Sequence, residues 1–207
     1  MKRNTRTRRA LANEIVDAIQ LGEFRPGEWL RQIDLEEKFK ATRFDVRTAL
    51  DELVVRKAIE HVRNRGYRVT LLDEATSAAI REVRLIMECA AAPGIVANAD
   101  AALLKRLRSL AESFSAAARE GTHADQSRTN REFHRLFYSI CGNPVLEETI
   151  WSMRERSRGG ATLTIWPSHA ALEQADRDHY EMVEAIGEQD APRLAALIGA
   201  HITRDRK

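Results

Sequence analysis

The stretch Ala41-Thr42-Arg43-Phe44-Asp45-Val46-Arg47-Thr48-Ala49-Leu50-Asp51-Glu52-Leu53 constrains the fold of this chain more than any other. After the polar Thr42, the apolar residues Val46, Ala49, Leu50 and Leu53 recur at three- and four-residue intervals, the period of one buried helical face. Arg43 and Arg47 lie one turn apart and off that stripe, so such a helix buries one side and holds two guanidinium groups outward. The planar guanidinium fork matches phosphate oxygens and the O6/N7 edge of guanine. Taken alone, the pattern suits an amphipathic helix with solvated arginines equally well.

The neighbouring residues favour the functional reading. Leu11, Ile15, Ala18 and Ile19 predict a helix that Gly22 ends, Phe24-Arg25-Pro26-Gly27 is a turn, and Ile33 to Phe39 supports a second short helix. Two helices joined by Lys40-Ala41 form a helix-turn-helix. The period then changes. Ala58 to Val62 and Tyr67 to Thr70 read as strands, joined by Arg63-Asn64-Arg65-Gly66, where Asn and Gly suit positive φ at a hairpin. A helix-turn-helix followed by an arginine-tipped hairpin is a winged helix, although His61 and Arg68 can also simply face water.

Charge is distributed to match. Net charge is only +2, yet residues 1 to 72 carry 16 Lys+Arg against 11 Asp+Glu, while the remainder carries 17 against 20. A basic front predicts a polyanionic partner for that part of the chain. Five Lys/Arg within Met1 to Arg9 suit an arm that brushes phosphates or a disordered terminus. Cys89 and Cys141 are too few for a disulfide framework and are not spaced as a metal knuckle, so they read as small buried residues in a reducing cytosol. The most apolar segment, Cys89 to Leu104, is interrupted by Pro93, Gly94, Asn98 and Asp100, and no apolar run follows the N-terminal arginines. The expectation is a soluble cytoplasmic protein.

Four motifs in order carry a resemblance: Phe24-x-Pro26-Gly27-x-x-Leu30; Leu35-x-x-x-Phe39; Thr42-Arg43-x-x-Val46-Arg47-x-Ala49-Leu50-x-x-Leu53; and Asn64-Arg65-Gly66-Tyr67-x-Val69. Together they resemble the winged-helix domain of GntR-type bacterial transcription regulators. The usual pattern has a small residue and Pro where this chain has Phe44-Asp45, and often Gly where Lys57 sits. These departures bear on base preference and leave the arginine framework intact. The resemblance implies operator contacts from Thr42, Arg43, Arg47, Asn64, Arg65 and Gly66, with Arg31 at a further phosphate contact of some members.

Beyond Leu71-Leu72-Asp73, the periodicity predicts about six helices: Glu74 to Val96, Ala101 to Glu120, Ala124 to Ile140, Val145 to Thr164, Ala170 to Gly187, and Ala191 to Thr203. A bundle of this size can hold a ligand between helices. Asn130 and His134 share one helical face, and His179 and His201 lie on two later helices. Three histidines on three helices can converge as neutral imidazole ligands, but from spacing alone they are more often ordinary surface or core residues.

A second set of motifs then bears on this half: Arg84-x-x-x-Glu88, Asn130 to His134, Gly142-Asn143-Pro144-x-Leu146, and a histidine on each of the last two helices. It resembles the FCD ligand-binding domain of the fatty-acid-regulator branch of the GntR family. The resemblance implies a divalent ion, zinc first with nickel or manganese as alternatives, held by Asn130, His134, His179 and His201, and a small carboxylate effector at its open positions. Many members have Asp at position 130. The neutral Asn130 leaves the ion its full charge, which weakens cation retention and strengthens attraction for an anion. Arg84 is the candidate carboxylate grip beside Glu88, the alternative being a helix-surface salt bridge worth a few tenths of a kcal/mol. Arg154 and Arg158 are placed toward the same cavity or toward solvent. Asp178 or Glu181 is suited to orient a histidine ring.

The resulting expectation is a mainly α protein: a winged helix-turn-helix of three helices plus a hairpin wing over residues 1–72, then an all-helical bundle over 73–207. Its function would be a dimeric repressor binding a palindromic operator and released by a small carboxylate, not an enzyme. The alternatives are a metal-sensing regulator and a metal-dependent hydrolase.

Overall fold

Thr42 caps a helix on which the first part of the chain packs. Its side chain accepts a hydrogen bond from the Asp45 backbone N–H at 3.2 Å while its hydroxyl donates to the Asp45 carboxylate at 2.6 Å. Donors left over at the helix start are satisfied in this way. The computed structural model describes residues 8–157, 166 and 168–204. Along the chain, the first elements are α1 (Arg8–Gln20), β1 (Trp29–Leu30), α2 (Gln32–Phe39), α3 (Arg43–Val55), β2 (Ile59–Val62) and β3 (Gly66–Val69). There follow α4 (Glu74–Ala90), α5 (Ala92–Asn98), α6 (Ala101–Glu120), α7 (His123–Ser139), α8 (Pro144–Arg156), α9 (His169–Gly187) and α10 (Ala191–Arg204). The described residues form two compact units, the first running to Ser77 and taking in residues 155–157, the second made of residues 78–154 and the described residues from Trp166 on. Among the described residues no helix is long and apolar enough to cross a membrane.

In the first unit, the stripe Val46, Ala49, Leu50 and Leu53 of α3 is fully buried. It meets Leu11, Ala12, Ile15 and Val16 of α1, Leu35 of α2, and Ile59, Tyr67 and Val69 of the sheet. Each fully buried Leu or Ile contributes about 1.5–3 kcal/mol relative to exposure. Lys40, in the left-handed region at φ 49°, ends α2, and its N–H bonds back to Glu36 and Glu37, which turns the chain into α3 within three residues. The hairpin forms as expected, with Asn64 at φ 62° and Gly66 at φ 99°. The sheet has a third strand that the periodicity does not reveal: β1 pairs with β3, Trp29 opposite Arg68 and Leu30 opposite Tyr67, in the order β1-β3-β2. Two residues are too few to show alternation, and it is pairing that makes them a strand.

The helices of the second unit follow the expected order, with one correction. The predicted helix Glu74 to Val96 is two helices, α4 and α5, broken at Ala91. Pro93 cannot donate to the carbonyl of Cys89, and its ring crowds that carbonyl. The Ala91 N–H instead reaches the Glu88 carbonyl at 3.3 Å, and a new helix starts with the proline in its first turn. Asp100, Thr122 and Ser168 cap α6, α7 and α9, Thr122 within a reciprocal box with Asp125. Helix α6 packs on α7 and α9, and α10 packs on α9 and α5. Phe133, Phe137, Ile150, Met182, Ile186, Leu194 and Ile198 fill the space between. The predicted extension of α8 to Thr164 lies outside the described residues past Ser157.

Two positions test this account. Lys57 adopts φ 59°, a conformation that costs a residue with a side chain about 1–2 kcal/mol, whereas glycine would lose about 0.5–1 kcal/mol of unfolded-state freedom. Lys57→Gly is therefore expected to stabilise the first unit by up to about 1 kcal/mol, read as a higher midpoint in urea unfolding. Gly94 lies against the loop after α7, where an added Cβ would fall 2.0 Å from the Cys141 carbonyl oxygen. Gly94→Ala is expected to cost about 3 kcal/mol or more, since backbone must move; a thermal midpoint equal to that of the parent protein would contradict this.

Candidate metal centre and nucleic-acid interface

The cap on α3 fixes where the exposed cations of the first unit stand. Arg43 and Arg47 are exposed, one turn apart at the start of α3, while Val46 between them is fully buried. The Thr42 hydroxyl is engaged with Asp45, so its first role is to hold the helix start. At the hairpin, Asn64 and Arg65 are exposed, and the Arg65 N–H bonds to the Val62 carbonyl at 3.0 Å. The hairpin is tied to α3 by the Tyr67 hydroxyl, which donates to Asp51 at 2.6 Å. Burial and the Asp51 carboxylate push that phenol up to about 12, so it stays a donor at neutral pH. The Arg31 side chain is 73% exposed and lies 3.8 Å from Asp34. These groups are thus presented on caps, a helix start and a turn, and their charges are open to solvent.

In the second unit, α7, α9 and α10 bring His134, His179 and His201 together in the interior. One ring nitrogen from each lies within 4.8 Å of the others. The Nε2 atoms of His134 and His179 are 3.4 Å apart. Burial above all, then Arg154 and the neighbouring imidazoles, holds His134 well below the usual histidine range; burial, His201 and Arg154 do the same for His179. Both rings are therefore neutral at pH 7, the form that binds a cation. His179 stacks on Phe133 at 4.1 Å between centroids and tilts against Phe114 at 4.7 Å, contacts that fix its plane.

The donor set fits a divalent ion. Asn130 lies one turn before His134, is buried, and its Oδ1 has no hydrogen-bond partner among the described residues; the Nδ1 atoms of His134 and His179 have none either. Buried polar atoms without partners cost free energy unless something meets them. His201 is different. Its Nδ1 lies 2.9 Å from Asp178, which leaves Nε2 to face the other imidazoles. Asp178 also accepts from Gln174 at 2.9 Å and pairs with Arg204 at 3.1 Å. Although burial alone would raise its pKa, these partners hold Asp178 below the usual carboxylate value, so it remains an anion that orients the ring.

Beside the imidazoles lies a buried ion cluster. Glu88 on α4 is 0% exposed. It accepts from Arg84 Nε at 2.7 Å, from Arg154 Nη1 at 2.7 Å, and from the Tyr138 hydroxyl. Tyr138 stacks on His134 with centroids 5.9 Å apart, which joins the two clusters. The alternative of a helix-surface Arg84–Glu88 pair is therefore corrected. The pair is buried and carries a second guanidinium, so it follows the energetics of an interior ion cluster rather than those of a surface pair. Arg154 faces this interior, while Arg158 lies outside the described residues.

Comparison with known proteins agrees with both halves. A family model described as "Bacterial regulatory proteins, gntR family" matches residues 7–69, and one described as "FCD domain" matches residues 79–204. The chain belongs to the GntR family, FCD subclass. Among its relatives, the Nta operon transcriptional regulator of Aminobacter aminovorans is 24% identical over 181 residues, covering 87% of this chain and 84% of the relative. The HTH-type transcriptional repressor GlaR of Escherichia coli (strain K12) is 24% identical over 201 residues, covering 94% and 90%. The solved structure of E. coli McbR/YncC superposes with a TM-score of 0.85 at 21% identity, covering 95% of this chain and 93% of that one. A GntR regulator from Rhodococcus sp. RHA1 gives 0.78 at 20%, with the same coverage. This chain is thus a GntR/FCD transcriptional regulator that binds DNA.

Several residues of the regulator's interior escaped the sequence reading. Tyr138 is four residues after His134, a spacing that placed it on the same face, but a tyrosine on an apolar stripe reads as core. Arg204, three residues after His201, was legible only as a C-terminal charge. The Phe114 and Phe133 contacts to His179 cross helices and left no local signal.

Glu88 supplies a quantitative test. Burial pushes its carboxyl up, but Arg154 and Arg84 outweigh burial and bring it from 4.5 down to about 2. A depressed folded-state pKa gives stability that is complete above pH 4.5 and is lost as pH falls toward about 2. Glu88→Gln is therefore expected to cost about 3–5 kcal/mol at pH 7, since two buried guanidinium groups lose their counter-charge. The difference from the parent protein should narrow below pH 4.5. Urea unfolding at a series of pH values measures both.

Proposed function

We propose that the protein is a ligand-responsive repressor acting in the cytoplasm. Residues 1–72 bind a palindromic operator as one half of a homodimer, and residues 73–207 bind a small carboxylate effector beside a metal ion. One winged helix offers too few base contacts for tight specific binding, which favours two copies on a two-fold site. Arg43, Arg47, Asn64, Arg65 and Arg31 are the contacts to DNA in this reading, Gly66 allows the wing tip its turn, and Thr42 fixes the helix start. The name of the relative GlaR, a transcriptional repressor, supports the direction of control.

The observation that carries the effector half is the buried set of three imidazoles, two of them held neutral, with the orphan oxygen of Asn130 one turn away. His134, His179, His201 and Asn130 would hold a divalent ion, zinc first and nickel or manganese as alternatives. Such an ion supplies a positive centre with open coordination positions, which suit a carboxylate. With no anionic ligand in this set, the site retains a cation best when an anion arrives with it. Arg84 and Arg154 grip the effector, together with Arg158, and Glu88 keeps the two described guanidinium groups in place until a second carboxylate competes for them. Effector binding shifts the preferred placement of the two winged domains because its affinity differs between the two arrangements.

The experiment measures metal content, then operator affinity by fluorescence anisotropy for the metal-free protein, with zinc, and with zinc plus a panel of small carboxylates. Release from DNA only when both are present supports the repressor, whereas release by zinc alone makes it a metal sensor. Turnover of a carboxylate ester or amide would make it a hydrolase. Arg47→Ala is expected to weaken operator binding by roughly 1–3 kcal/mol, and His179→Ala to lose stoichiometric zinc while leaving operator binding intact.

A further inference from the structure

We propose that Phe44 is a sequence-reading residue, and that it recognises the C5-methyl group of thymine in the major groove. The proposal rests on α3 being the helix that enters that groove. Phe44 is 63% exposed, at the second position of α3, between Arg43 and the cap residue Asp45. At that exposure it is the least buried phenylalanine among the described residues: Phe24 and Phe39 are half-buried, and Phe114, Phe133 and Phe137 are fully buried. The position is also rigid. Thr42 and Asp45 cap each other across it, and the Thr48 hydroxyl donates to the Phe44 carbonyl at 2.9 Å. A backbone held this way fixes where the Phe44 side chain leaves the helix start, which lowers the ordering cost of a contact made there.

The chemistry of the ring restricts what it can read. Phenylalanine has no donor or acceptor, so it cannot distinguish bases by hydrogen bonds. In the major groove, the apolar feature that differs between base pairs is the thymine methyl. Arg43 beside it and Arg47 one turn on are cations suited to phosphate or guanine, so this helix start combines two polar readers with one apolar reader. Asp45, consumed by the cap, is not available as a base contact.

The test starts with selection of sites from random duplex by the full-length protein. The enriched site is then resynthesised with deoxyuridine replacing thymidine one position at a time, which removes only the methyl. Wild type should lose about three- to tenfold in affinity at one thymine per half-site, the scale expected for one buried methyl and its packing. Phe44→Ala should bind the parent site more weakly by a similar factor and be indifferent to uridine at that thymine, while Phe44→Leu should retain part of the sensitivity. The variants should still unfold cooperatively, with thermal midpoints well above the binding temperature, because the ring lies outside the first unit's buried core. An enriched site in which no methyl is sensed through Phe44 overturns this proposal alone, as does a Phe44→Ala variant that weakens specific and random duplex equally. Failure to enrich any site overturns the proposal together with the reading of α3 on which it rests.

Discussion

One carboxylate organises the interior of the second unit. Glu88 is out of water entirely, and a lone buried charge of that kind would cost more than the whole fold is worth unless compensated. Two guanidinium groups and a phenol compensate it, from α4, α8 and α7 respectively. The cost of leaving any of these groups unpaired holds the three helices in one register. The same cluster sets the electrostatics next door. Burial is the main reason His134 stays neutral, Arg154 and to a smaller degree Arg84 add positive potential in the same direction, and Tyr138, whose hydroxyl donates to Glu88, stacks on His134. The ion cluster and the three imidazoles are therefore packed as one continuous unit.

The charges around the imidazoles come from several separate helices. Arg84 and Arg154 both pair with Glu88. His134 and His179 beside it are held neutral, and the amide of Asn130 carries no charge. Asp178 is the counterweight on the far side: it orients His201 and takes up the charge of Arg204.

The first unit works by different means. Its charges are exposed and worth little for stability, and what matters is where the backbone points them. Thr42 and Asp45 set the start of α3, Tyr67 and Asp51 tie the hairpin to it, and the left-handed residues Lys40 and Asn64 turn the chain on either side. These are local devices, each within a few residues or across one packed contact. For that reason much of this unit could be read from sequence, including the α3 stripe, the wing turn and the short connection into α3, read there as Lys40-Ala41 and found to run to Thr42.

Sequence by itself determined the order and type of nearly every element, because each depends on short-range period, caps and breakers: the α3 stripe from Val46 to Leu53, the limits of α6 at Asp100 and Gly121, and the spacing that put Asn130 and His134 on one face. It did not determine what requires distant residues to meet. The two-residue strand Trp29–Leu30 exists only through its pairing with β3, and the break at Ala91 reflects competition between a helical pattern and one proline whose outcome period alone does not decide. Tertiary structure alone decided that Glu88 faces two arginines in the dark rather than one at the surface, and that three histidines spread over 68 positions share one point. The physical reason is that helix rotation about its axis is fixed by packing against neighbours, which no local pattern encodes.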